Sequence, residues 1–267
     1  MKIIFLLPLF LIQFPTLVGI FQDTDLLENS EKLFRQMSTF DTQTGCVYGD
    51  CENGWGKWEY ENGYYEGFWK NGKRDGYGRY NWNTGQVYYG FYKDNRWEGF
   101  GHYEDESGYI EGIYSRGAAN GWGVELRRGE NFGEVQRKVG YFESHELTQE
   151  FKVYYIQSNV GCQAGDCENG YGKYQWKGGD LFEGFFEQGS LFMGTYNFSN
   201  GDKYQGFFND QNEFHGQGLF RAYSGGFYYG EFRDGLPHGR GVMVDEDKKT
   251  FIGEFVDGKI ETIYIKN

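Results

Sequence analysis

The amino-acid sequence predicts an all-β protein: an elongated, single-layer antiparallel solenoid of β-hairpins, each about 23 residues long, in two homologous blocks. Three observations carry that expectation. Glycine supplies 43 of the 267 residues and proline only 3, a balance that disfavours long helices. Aromatic side chains make up 21%, enough to build a core largely from rings. Finally, Tyr65-Glu66-Gly67-Phe68-Trp69 recurs 23 residues later as Tyr88-Tyr89-Gly90-Phe91-Tyr92, and self-similarity at a fixed period marks a repeat architecture.

In chain order, residues 1–19 read as a cleaved secretory signal: Met1-Lys2, an apolar run from Ile3 to Ile12, then a small-residue exit ending at Gly19. The run is too short for a spanning helix, which needs about 20 apolar residues; a retained anchor is the minor alternative. Residues 20–44 form a leader whose stretch 23–38 is the one helical candidate, with Leu26, Leu27, Leu33, Phe34 and Met37 on one face. Its expected role is to cap the first open sheet edge.

The first block, 45–123, opens on Gly45-Cys46-Val47-Tyr48-Gly49-Asp50-Cys51-Glu52-Asn53-Gly54. The same phrase returns as Gly161-Cys162-Gln163-Ala164-Gly165-Asp166-Cys167-Glu168-Asn169-Gly170, an offset of 116 residues. Four cysteines behind a signal favour local disulfides within each pair. Free thiols are one alternative; a zinc shared by all four is another, and it requires the solenoid to fold back on itself.

Within each unit, Tyr65, Gly67 and Trp69 share one face of a period-2 strand, and Gly76, Gly78, Tyr80 and Trp82 share one face of the next. Glycine is expected to leave space for the ring of a neighbouring unit. Tyr88 and Gly90, then Gly99 and Gly101, repeat the pattern, and Asn71-Gly72 supplies a hairpin turn. Between 124 and 160 the glycine rhythm fades into a divergent unit or hinge, with Val139-Gly140-Tyr141-Phe142 as a degraded unit. The second block, 161–267, restarts with Gly184, then Tyr204, Gly206, Gly216 and Gly218, then Tyr228, Gly230, Gly239 and Gly241, and finally Gly253. Its Gly189–Gly194 stretch lacks the closing Gly-x-Gly, so an irregular second strand is expected there.

The phrase Y-x-G-x-[WF]-x-x-G followed by G-x-G, clearest from Tyr228 to Gly241, resembles the MORN (membrane occupation and recognition nexus) repeat over roughly residues 45 to 260. The leader G-D-C-E-N-G-x-G at Gly49 and Gly165 is similar to one that precedes MORN units in bacterial envelope proteins. The resemblance implies a β-hairpin array serving as a structural or protein-binding scaffold, with phosphoinositide or membrane contact as a second association.

Residue chemistry points the same way. Lys plus Arg total 26 against 39 acids, a net charge of -13 that argues against nucleic acid and disfavours anionic membranes. The glycines of Gly67 to Lys73 and Gly253 to Lys259 mimic a phosphate loop, but Arg74 and Ile260 follow where Ser or Thr is needed. His215 and His238 occupy a repeat position held elsewhere by Asp75 and Glu98, and His102 and His145 have no nucleophile at a recognisable spacing. No catalytic residue, cofactor or metal is expected. A local basic patch of Arg127, Arg128, Arg137 and Lys138 supports the phospholipid alternative. Tyr64, Tyr77, Tyr89, Phe91, Phe185 and Tyr229 fall opposite the glycine ladder, where an exposed strip would suit peptide, a second array or sugar rings; the other reading is that this face is also packed. Asn197-Phe198-Ser199 is a lone glycosylation sequon, meaningful in a eukaryotic source. The expectation is therefore an exported, non-catalytic scaffold that binds protein or self-associates, with phospholipid or carbohydrate as alternative ligands.

Overall fold

The computed structural model describes residues 44–129, 135–154 and 160–266; the expected signal and the helical candidate at 23–38 lie outside them. The first sheet contains β1 (Gly45–Gly49), β2 (Trp55–Tyr60), β3 (Gly63–Lys70), β4 (Lys73–Trp82), β5 (Val87–Lys93), β6 (Arg96–Asp105), β7 (Gly108–Ser115), β8 (Ala118–Arg128), β9 (Val135–Glu143) and β10 (Glu146–Glu150). The second contains β11 (Gly161–Gly165), β12 (Tyr171–Gln175), β13 (Leu181–Glu187), β14 (Ser190–Asn197), β15 (Lys203–Phe208), β16 (Phe214–Arg221), β17 (Phe227–Arg233), β18 (Leu236–Val244), β19 (Thr250–Val256) and β20 (Lys259–Lys266). In each sheet the strands lie side by side in sequence order.

Glycines set the register. Gly56, Gly67, Gly78, Gly90, Gly101, Gly112, Gly123 and Gly140 pair strand to strand across the first sheet. Gly172, Gly184, Gly194, Gly206, Gly218, Gly230, Gly241 and Gly253 do the same in the second. The ladder runs unbroken into the divergent stretch, where Gly140 pairs with Gly123, so β8, β9 and β10 continue the sheet. The missing glycine of the 189–194 stretch has a local effect. Gly184 and Gly194 still pair, and Phe192 forms a bulge one residue long where the Gly67–Gly78 hairpin carries a larger one.

What the glycines admit differs from the expectation of a neighbouring unit's ring. Tyr65 lies along its own strand, and a methyl group placed on Gly67 or Gly78 would overlap its ring. Its hydroxyl donates to the Phe68 carbonyl at 3.0 Å. Tyr88, Tyr204 and Tyr228 repeat the arrangement, donating to Phe91, Phe207 and Glu231 at 3.1, 2.8 and 3.1 Å. Neighbouring units then meet edge to face: Tyr65 contacts Trp69 of its own unit and Tyr92 of the next at 5.1 and 5.0 Å between centroids. The second sheet continues this from Phe182 through Phe208, Tyr204, Phe232 and Tyr228 to Phe255. Tyr204→Phe keeps the ring and deletes only the hydroxyl, so it is expected to cost about 1 kcal/mol in urea unfolding. An unchanged midpoint would mean that the ring alone holds the position.

The turns follow the same economy. Asn71 and Gly72 both take positive φ, 50° and 68°, the conformation a two-residue hairpin loop needs to match strand twist.

Each block is a single-layer sheet, but the pair does not form one elongated layer. The second sheet folds back over the first. Phe68 of β3 meets Tyr264 of β20, Tyr77 of β4 meets Tyr229 of β17, Phe100 of β6 meets Phe207 of β15, and Trp122 of β8 meets Phe185 of β13. The contacts run in opposite orders along the two sheets. The turnaround is bonded to both, Phe151 donating its amide to Val139 at 2.7 Å and Gly165 donating to Tyr154 at 2.9 Å.

Candidate interaction surface

Period-2 alternation gives every strand a ladder face and an opposite face. The opposite faces meet, which decides for the packed face over an exposed aromatic strip. Phe91 and Phe185 are buried, 3% and 2% exposed, while Tyr77 and Tyr229 pack on each other with centroids 5.0 Å apart. The reason is the area at stake: an unpaired face this rich in rings is stabilised by leaving water, and the fold-back removes both faces at once.

The residue between the two glycines of each Gly-x-Gly makes the cross-sheet contact. Tyr77, Phe100 and Trp122 supply rings from the first sheet, as described above. From the second, Gln217 Oε1 accepts the Phe100 amide at 2.7 Å. Arg240 bonds the Asp75 carbonyl oxygen at 2.6 Å and pairs with its carboxylate. Burial opposes ionisation of Asp75, yet Arg240 and Lys93 outweigh it and hold its pKa below the usual carboxylate range. This contact was hidden in the sequence, because Asp75 shares its repeat position with Glu98, His215 and His238. The available signal was the variable residue inside an otherwise constant Gly-x-Gly.

The four predicted basic residues do not gather into one patch. Arg127 lies on the ladder face beside Glu125 at 2.8 Å, and Lys138, one strand over, is placed opposite Glu125. Arg128 belongs to the other face near Glu104, 3.6 Å away. Arg137 points between the sheets: it bonds the Tyr171 hydroxyl and reaches Glu183 at 3.0 Å, and the same hydroxyl donates to Glu183 at 2.8 Å. Alternation across paired strands separates neighbours in sequence that a linear reading groups together.

All four cysteines form the two local bridges, Cys46–Cys51 and Cys162–Cys167. Although the array folds back, these pairs stay at opposite ends: Tyr48 of β1 clusters with Ile265 of β20, whereas Cys162 begins the sheet beside the turnaround.

The ladder faces point outward. Beneath them lie the buried tyrosines; over these sit the half-buried Trp58, Tyr60, Trp82, Trp97 and Tyr103 on one side. Tyr174, Trp176, Phe198, Phe220 and Met243 occupy the equivalent positions on the other. The rings touch in series, Tyr60 stacking on Tyr80 at 5.7 Å and Tyr80 packing on Trp82 at 4.4 Å. Such half-covered rings present both apolar area and polar edges.

The family model described as the MORN repeat matches residues 65–87, 168–181 and 228–250. The chain is a MORN-repeat protein. Two of the matched MORN segments begin on a ladder tyrosine, Tyr65 and Tyr228, so the match and the packed unit coincide. No curated protein matches the chain. The MORN array is thus defined by its own geometry: glycine ladders outward, variable residues between the sheets.

Proposed function

We propose that the protein is an exported, non-catalytic scaffold whose two outward ladder faces bind a protein partner. The observation that carries this reading is the fate of the inner aromatics. They are consumed by packing within the molecule, which leaves the half-buried rings over the ladders as the aromatic area available to a partner. MORN repeats are generally non-catalytic scaffolds, and the two disulfides support an oxidising destination. A phospholipid ligand gains little from Arg127, Arg128, Arg137 and Lys138, which are divided between two faces and largely engaged by carboxylates.

A photo-crosslinking amino acid introduced at Trp82 or Trp176, in cells that naturally make the protein, tests the reading. A discrete protein adduct is expected from both positions and not from Tyr223, an exposed turn residue at 63%. Adducts to polysaccharide or lipid, or equal labelling from Tyr223, would overturn it.

A further inference from the structure

The inner faces are not uniformly apolar. Glu66 and His102 are buried there at 5% and 7% exposure, and Glu231 shares the inner face of β17. We propose that the contact between the two sheets is a proton-tightened clamp: Glu66 and Glu231 take up protons on mild acidification and hold the inner faces together, then release them toward alkaline pH so that the contact loosens.

The surroundings of each group decide its part. Glu66 on β3 is flanked by Lys57 of β2 and Arg79 of β4 through strand pairing, with Tyr48 of β1 nearby; across the interface, Arg240 of β18 and Tyr264 of β20 approach the neighbouring Phe68. His102 on β6 lies between the rings of Tyr89 and Tyr109, at 4.6 and 4.8 Å. Its Nδ1 is 3.3 Å from Glu111 of β7, its Nε2 3.7 Å from Glu104, and Gln205 of β15 reaches Glu111 from the second sheet at 3.5 Å. Glu231 faces Arg240 and His238 of β18, with Asp75 of β4 contributing a like charge from the first sheet.

The signs agree. Burial, only partly offset by Lys57 and Arg79, pushes the Glu66 carboxyl up to about 7. Burial also raises Glu231 against the pull of Arg240 and His238. His102 stays outside the clamp: the Glu104 and Glu111 carboxylates that raise its pKa stand on its own sheet and remain when the sheets part, whereas closure adds only the burial that opposes the imidazolium. A group whose pKa is raised in the closed contact favours closure at low pH, and that contribution is lost as pH climbs through the raised value. Asp75 and Glu104 shift downward, so their contribution disappears only in acid below about 4, outside the neutral window. Glu66 alone, raised from about 4.5 to about 7, should therefore lower the closed-to-open ratio by about thirtyfold between pH 5.5 and 8.5.

The test uses the full chain labelled with 5-fluorotryptophan and a soluble paramagnetic gadolinium chelate as the accessibility probe. Trp55 lies on the inner face beside Phe68, whereas Trp58 and Trp82 are outward. Relaxation of the Trp55 fluorine by the chelate should rise several-fold from pH 5.5 to 8.5 while Trp58 and Trp82 stay constant, and Glu66→Gln should remove most of that rise, leaving the part that Glu231 supplies. Equal protection of wild-type Trp55 at the two pH values would overturn the proposal, as would an intact pH response in Glu66→Gln. If that variant does not fold, urea unfolding of the wild type decides: a higher midpoint at pH 5.5 than at 8.5 is expected, and equal midpoints would refute the clamp.

Discussion

Gly78→Ala is expected to destabilise the protein by about 3 kcal/mol, the upper end for overpacking a filled site. The added methyl group meets the Tyr65 ring, which is 0% exposed and held between Trp69 and Tyr92, so it has nowhere to retreat. Moving Tyr65 would also break its hydroxyl contact to Phe68 and disturb the edge-to-face series on both sides. Gly178→Ala is the control: nothing lies within 4 Å of the added carbon and φ there is ordinary. Urea unfolding of both variants checks the contrast. A mild effect at Gly78 would show that the tyrosine ladder can shift as a unit, contrary to its close packing.

Arg240→Met should cost about 3 kcal/mol, because removing one partner of a buried pair strands the other. The Asp75 side chain is 6% exposed and that of Arg240 19%, so the carboxylate cannot recover full hydration. Lys93 at 3.1 Å still offsets part of the charge, which keeps the loss at the lower end of the usual range. Asp75→Leu combined with Arg240→Met should regain most of the stability, since two apolar side chains can replace a buried ion pair. If the double variant is as unstable as the single one, the pair acts through geometry that hydrophobic packing cannot supply. A double-mutant cycle in urea makes the distinction.

The repeat unit was legible because its determinants are local in sequence. Tyr65, Gly67 and Trp69 lie on one strand face, and the spacing alone places them together. The ring over the glycine pair was assigned to the wrong unit, since period-2 logic fixes the face of a side chain and not the direction in which it lies. The fold-back was not legible: Asp75 and Arg240 are separated by 165 positions, and nothing in either strand's alternation says whether its second face meets water or another sheet. The supposed basic patch failed for a related reason. Arg127 and Arg128 are adjacent in the chain, so a strand must send them to opposite faces.

The opposed order of cross-sheet contacts has a consequence for how such a chain can change over generations. In an open array, one hairpin can be gained or lost at little cost, because each unit answers only to its neighbours. Here Tyr77 finds Tyr229, and Trp122 finds Phe185, only while both blocks keep their present lengths. A hairpin duplicated within one block alone would slide every later pairing out of step and expose a strip of rings. Copy number is therefore tied between the blocks, so viable lineages should lengthen or shorten both together.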